Sequence, residues 1–216
     1  SLFTHQVPKA DMSRDLAKKH GFPIVDSIEK AILQPTGKDR IEGVLSIGEH
    51  GNYPYATKTR QHKYPRRRFF DAIVAAMQKA GRIVPIFSDK HLAWNMDDAL
   101  HMYNTARKLK IPFMAGSSLP TCWRYPAVTL ERGVEIEEAL AIGYGGLESY
   151  GFHTLETLQC MIERRRGGET GVASVQAVSG DALVKARKEG RWSQELLEAA
   201  MDALPSRFRY KGNLRA

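Results

Sequence analysis

"IVPIFSDKHLAWNMDDA", residues 83–99, decides how the rest of the chain is read. An apolar run ends abruptly in Asp89-Lys90-His91, and a helical pattern begins soon afterwards, with Asn95 placed to cap it. That pattern continues through "NMDDALHMYNTARKLK", with basic residues in its last turn, and feeds a second apolar run, "IPFMAGS" (111–117). Strand, helix and strand in this order form a unit whose strands lie parallel. Whether an acid, a lysine and an imidazole at the tip of a buried strand serve a ligand or only packing separates an enzyme from a well-packed domain. In open parallel sheets, however, ligands bind beyond the carboxyl ends of the strands, and there these groups can meet one.

The same alternation extends towards the amino end. "RRRFFDAIVAAMQKAG" (66–81) is an amphipathic helix ending at a glycine, and "IEGVLSIG" (41–48) is a strand apolar nearly throughout, as expected where both faces are covered. "SLFTHQV" and "FPIV" read as shorter strands. "PKADMSRDLAKKHG" reads as a helix stopped by Gly21, and "DSIEKAIL" as one opened by a capping box of Asp26 and Glu29. Residues 49–65 read as loop. Over residues 1–118 this predicts an α/β domain, a parallel sheet with helices on both faces.

Beyond Pro120 the character changes, and a boundary is expected near residues 118–126. "VEIEEALAIGYGG" (134–146) and "TGVASVQAVSG" (170–180) read as strands. "FHTLETLQCMIERRR" and two stretches near 181–189 and 193–203 read as helices. The expected organisation is therefore a parallel α/β domain at 1–120 and a smaller α+β domain at 121–216.

Composition narrows the function classes. The net charge is +8, from 32 Lys and Arg against 24 Asp and Glu. The basic clusters, Arg66 to Arg68, Arg164 to Arg166 and the tail Arg207 to Arg215, are not interleaved with a nucleic-acid motif, so no nucleic-acid partner is expected. The first two lie at helix ends, where long basic side chains are expected to be solvated. No apolar run approaches the roughly 18 residues that span a bilayer, so no membrane role is expected. Cys122 and Cys160, isolated and in no metal-type spacing, read as reduced, which makes a cytoplasmic setting the expectation. A signal segment ahead of Ser1 is left open.

Three strand tips should converge: Gly48-Glu49-His50-Gly51, Ser88-Asp89-Lys90-His91 and Gly116-Ser117-Ser118. Lys90 at such a tip either donates to a substrate hydroxyl and does acid–base work or simply pairs with Asp89 or Asp97. His153, opening a helix after a glycine turn, either shares its site with an anion or hydroxyl or is satisfied by neighbouring backbone. Tyr53, Tyr55, Trp94, Trp123, Tyr144 and Tyr150 either suit a sugar or polyol, whose C–H faces stack on aromatic rings, or are packing residues at domain edges.

These pieces, in this order, resemble the glucose–fructose oxidoreductase / inositol dehydrogenase (Gfo/Idh/MocA-like) family. There a Rossmann strand ends in Glu-Lys-Pro ahead of a capped helix; here Asp89-Lys90-His91 stands in that place. The family's Gly-x-His-x-x-Asp element is matched by Gly151, His153 and Glu156. The resemblance implies a Rossmann-like sheet, an NAD or NADP cofactor, and a sugar or polyol substrate. It implies Lys90 and His153 as the catalytic pair. Gly48, Glu49, His50, Asp89, Lys90 and His91 would lie at the cofactor, and Ser117, Trp123 and Glu156 at the substrate. The second domain would carry substrate and interface surfaces, with a homo-oligomer as a possible assembly. After its second strand the family places an acid for the adenine ribose; there this chain, in "FTHQV", has His5 and Gln6.

The family's first strand, its glycine turn and the following helix have no counterpart in residues 1–216. In the order 3-2-1-4-5-6 that strand is central. Two expectations follow. Residues 1–216 belong to a longer chain, or the "SLFTHQV" and "GVLSI" strands pair directly; the first is preferred because buried unpaired edges are costly. Two other functions fit the residues: a non-catalytic sugar-binding relative, and a metal-dependent sugar lyase or isomerase drawing on Glu49, His50, His91 and His153, none of them in a recognised metal-ligand spacing.

Overall fold

The structure, a computed structural model, describes residues 1–33, 40–48 and 51–204. Glu49, His50 and the basic tail lie outside the described residues. The chain divides into two compact units, the first Ser1–Ser117 and the second beginning at Ser118. Among the described residues no helix is long and apolar enough to cross a membrane.

The first unit is mixed α/β, and its order is β1 (Leu2–Phe3), α1 (Ser13–His20), β2 (Ile24–Val25), α2 (Ile28–Leu33), β3 (Val44–Ser46), α3 (Arg66–Lys79), β4 (Ile86–Asp89), α4 (Met96–Lys108) and β5 (Phe113–Gly116). Its named strands pair in parallel and form two sheets, β1-β2 and β3-β4-β5. The direct pairing of the first and third strands considered above does not occur: among the described residues β1 pairs with β2 and β3 with β4.

The strands are shorter than their apolar runs, and proline explains where two of them begin. Proline has no N–H to give a ladder. β4 therefore starts after Pro85 and β5 after Pro112, and each proline contributes its carbonyl instead. Val44 N donates to Pro85 O and Ile86 N to Pro112 O, both at 2.9 Å.

α3 buries Phe70, Ile73, Val74 and Met77, a spacing of three and four residues that puts them on one face. That face meets Ile86 of β4, Met102 and Ala106 of α4, and Ile32 of α2 in one cluster. Met77 at its centre is fully buried. Each such side chain contributes roughly 1.5–3 kcal/mol of burial, enough to seat the helix although no side chain caps its start at Pro65.

Only one face of the three-stranded sheet is covered in this way. Ile86 belongs to the cluster, with Val44 and Phe113 packed against it. The next row, Leu45–Phe87–Met114 in register, points to the other face, where Leu45 is 77% and Met114 67% exposed.

α4 starts as its sequence implies, the Asn95 side chain accepting from Asp98 N at 2.8 Å. α1 ends on Gly21 in the left-handed region, φ 69°, which favours glycine. α2 differs from expectation. Because it begins at Ile28, the cap is Ser27, whose Oγ accepts from Lys30 N at 3.1 Å. Asp26 pairs with Lys30 at 2.7 Å and Glu29 with Lys79 at 2.6 Å, so no capping box forms.

The second unit carries α5 (Phe152–Ile162), α6 (Asp181–Lys188) and α7 (Gln194–Ala203), with a π-helical turn at Leu147–Gly151 leading into α5. The expected strands at 134–146 and 170–180 are absent among the described residues, and with them the α+β reading of this unit. Among its described residues the one ladder contact is an isolated bridge between Val134 and Arg165. Alternating apolar residues make a strand only where a neighbouring backbone completes the ladder. Among its described residues Ala186 is the sole buried hydrophobic, and Trp123 is fully exposed.

Candidate functional site

The site begins with the strand tips. β3 leads through Ile47 to Gly48, and β4 ends in Asp89 with Lys90 and His91 following. The segment after β1 is Thr4-His5-Gln6. Its Gln6 Oε1 accepts from Asn52 N at 2.8 Å, and its Nε2 donates to Asn52 O at 3.2 Å. The segments that follow β1 and β3 therefore meet.

Arg66 joins the next two tips. It opens α3, is only 4% exposed, and its Nη2 donates to Gly48 O and, at 2.6 Å, to Lys90 O. Its guanidinium lies 4.6 Å from the centre of the Tyr64 ring. The expectation that this arginine cluster is solvated holds for Arg67 and Arg68 and fails for Arg66. The reason is local: the first residue of α3 faces the tips, where two carbonyls leaving parallel strands need donors. Gly48 permits the contact, since a Cβ there would stand 2.6 Å from Arg66 Cγ.

Residues 51–65, read from sequence as loop, close on themselves as a short hairpin. Tyr55 and His62 form an antiparallel bridge, with Ala56 N on Gln61 O at 2.7 Å and Lys63 N on Pro54 O at 2.9 Å. This stacks the rings of Tyr55 and His62 at 4.3 Å and brings His62 to 4.1 Å from Tyr64. Tyr53 stacks on His5, and its hydroxyl is 2.8 Å from His5 Nδ1.

Beside this ladder, on the carboxyl side of the strands, lies an open cavity of about 650 Å³. Its wall includes His5, Tyr53, Lys63, Tyr64, Arg68 and Trp94. Lys63 Nζ sits 5.2 Å from the centre of the Trp94 ring, and Arg68 Nη2 is 2.8 Å from His5 Nε2. At the floor Arg67 pairs with Asp98 at 2.6 Å. Burial alone would raise the Asp98 pKa, but hydrogen bonds from Arg67 and Asn95 outweigh it and hold the carboxyl below its ordinary value. Aromatic faces beside two cations suit a ligand that combines a ring or sugar face with negative charge.

Of the site candidates named from sequence, Tyr53 and Trp94 stand in the wall of this cavity, and the other described ones do not. Gly48, Asp89, Lys90, His91 and Ser117 sit at the tips of β3, β4 and β5, as the strand-tip rule requires, and none lines the cavity. The Lys90–His91 peptide is cis. His153 and Glu156 lie in the second unit, three residues apart on α5 and so on one helix face; Trp123 also belongs to that unit. Sequence reasoning missed Lys63, Arg66 and Arg68. The available signal was position, since all three flank the start of the helix after β3. Among the described residues no three His, Cys, Asp or Glu side chains gather closely enough to hold a metal ion. Compared with protein-family models, with curated proteins and with solved structures, the chain matches none.

Proposed function

We propose that this chain is an NAD(P)-dependent oxidoreductase acting on a hydroxyl of a sugar or polyol, of the kind found in the Gfo/Idh/MocA-like family. The observation that carries the reading is the Arg66 tie: it fixes the β3 and β4 tips together next to an aromatic and basic cavity, with Lys90 leaving one of those tips. The strand order supports it as well. The two small parallel sheets, β1-β2 and β3-β4-β5, follow the order that the outer strands of a doubly wound sheet would take.

The residues present fit a dinucleotide in part. Tyr53, Tyr64 and Trp94 offer ring faces, and Lys63 and Arg68 offer charge to phosphate. The segment after β1 holds no carboxylate for the ribose hydroxyls, and Arg68 stands against it, which favours NADP over NAD. When bound, the nicotinamide supplies the hydride acceptor or donor. In this reading Lys90 holds the substrate hydroxyl and takes or returns its proton at Nζ. Ser117, leaving the tip of β5, orients the sugar in the same reading.

The test is a nuclear magnetic resonance titration with NADPH, NADH and a panel of polyols. Shifts centred on Lys63, Arg68 and Trp94 are expected, with NADPH at least tenfold tighter than NADH and that preference removed by Arg68→Ala. If no nucleotide perturbs these residues at about 1 mM, a threshold near −4 kcal/mol of binding, the oxidoreductase reading falls.

A further inference from the structure

The two cysteines, far apart in the chain, are brought to one place in the second unit. The single tight turn Leu119–Thr121 packs against α5, and Cys122 follows that turn directly. Cys122 is exposed, and its Sγ donates to Ser118 O at 3.3 Å. Cys160, near the end of α5, is half-buried. Its Sγ donates to Pro120 O at 3.9 Å and accepts from Arg124 Nη2 at 3.1 Å. One sulfur thus touches the residue two before Cys122 and the residue two after it. Two residues of chain reach at most about 7 Å, so the backbone of Cys122 stays close to the Cys160 sulfur.

Buried structural thiols are inert, whereas reactive pairs combine a solvent-accessible sulfur with a second one poised beside it. Cys122 supplies the first and Cys160 the second. Among the described residues no group of three metal-ligating side chains forms around them, so the pair is read as a pair.

We propose that Cys122 and Cys160 are a reversible redox couple, reduced at rest and closed into a disulfide by hydrogen peroxide. The exposed Cys122 reacts first. Its sulfur attacks one peroxide oxygen, the S–O bond forms as the O–O bond breaks, and the departing oxygen leaves as water with the thiol proton. Cys160 then attacks the sulfenic sulfur. The S–S bond forms, the S–O bond breaks, and that oxygen leaves as a second water with the Cys160 proton. Peroxide has taken two electrons, one from each sulfur, and a dithiol returns them by exchange. Disulfides join Cα atoms roughly 4.4–6.8 Å apart, and a turn of the Cys122 side chain with a small shift of Leu119–Thr121 brings the pair into that range. Cys160 shares a face of α5 with Glu156 and His153, by its spacing along the helix. Trp123, fully exposed, is the next residue after Cys122. Closure therefore pins an exposed indole beside that face, and reduction releases it. The inference rests on the two sulfurs and stands whether or not the oxidoreductase reading does.

The test treats the full chain with one equivalent of hydrogen peroxide, alkylates it and maps the peptides by mass. A Cys122–Cys160 cross-link within one chain is expected, with both sulfurs closed to alkylation until dithiothreitol is added. Closure should run at least tenfold faster in buffer than in denaturing urea, because the fold holds the sulfurs together. Amide exchange over Phe152–Ile162 should slow at least threefold on closure and recover on reduction, and Cys122→Ser and Cys160→Ser should each abolish both the cross-link and the slowing. The proposal is overturned if both thiols stay open to alkylation, if oxidation stops at Cys122 alone, if the cross-links join separate chains, or if closure is no faster in buffer than in urea. The nucleotide titration is read at Lys63, Arg68 and Trp94, so one proposal can fail while the other stands.

Discussion

Replacing Arg66 by methionine removes the tie between the β3 and β4 tips while keeping much of the side chain's length. Two hydrogen bonds from a charged donor are lost, those to Gly48 O and Lys90 O. At ~1.5–3 kcal/mol each the gross loss is about 3–6 kcal/mol. Contact with the Tyr64 face adds ~1 kcal/mol or more. Against this, methionine no longer has to be desolvated as a charge, which returns several kcal/mol. The net destabilisation is about 2–4 kcal/mol. In urea, with a slope of ~2 kcal/mol/M, the unfolding midpoint should fall by about 1–2 M. Arg66→Lys keeps the charge but not the forked donor geometry, and should recover less than half of the loss. If Arg66→Met changes stability by less than ~0.5 kcal/mol, the lower edge of a single net hydrogen bond, then the guanidinium is not what holds the tips together.

Three further outcomes are expected. Gly48→Ala places a Cβ 2.6 Å from Arg66 Cγ and should cost ~1–3 kcal/mol as overpacking; in an Arg66→Ala background that cost should fall below ~0.5 kcal/mol, a coupling that a double-mutant cycle in urea reads directly. Met77→Ala, emptying a fully buried site, should cost ~2–5 kcal/mol and lower the thermal midpoint with no change in which residues respond to ligand. Asp98 has a depressed pKa in the folded chain, so its contribution is full above the unfolded carboxylate value of ~4 and is lost as pH falls through the lower folded value. The stability gap between the parent and Asp98→Asn, measured by urea titration, should therefore close as pH falls below about 4, and a constant gap would contradict the assignment.

What the sequence disclosed follows from how local each cause is. α3 and α4 were legible because periodicity, Asn95 and the basic last turn of α4 are properties of neighbouring residues. β1 and β2, two residues long in the structure, exceeded their true length on paper because a ladder ends where its partner ends. The segments at 134–146 and 170–180 carried strand-like alternation without a partner to realise it. The strand-tip rule located Gly48, Lys90 and Ser117 correctly relative to the sheet. It could not say which of Arg66, Arg67 and Arg68 turns inward, since that depends on carbonyls 18 and 24 residues away. His5 and Lys63 reach one cavity only through the hairpin at 51–65, and nothing in its composition announces that closure.

Pro85 and Pro112 have an effect beyond the strands they precede. If β4 slid by one residue along β5, Pro85 would arrive where the N–H of Ile86 now meets Pro112 O, and it has no hydrogen to offer. A slide the other way would exchange the buried Ile86 and Ser88 for their outward neighbours. The two imino acids thus act as end-stops for the sheet. They level Asp89 against Gly116, and so set the height at which Lys90 and Ser117 leave the sheet, from positions at the far end of the strands.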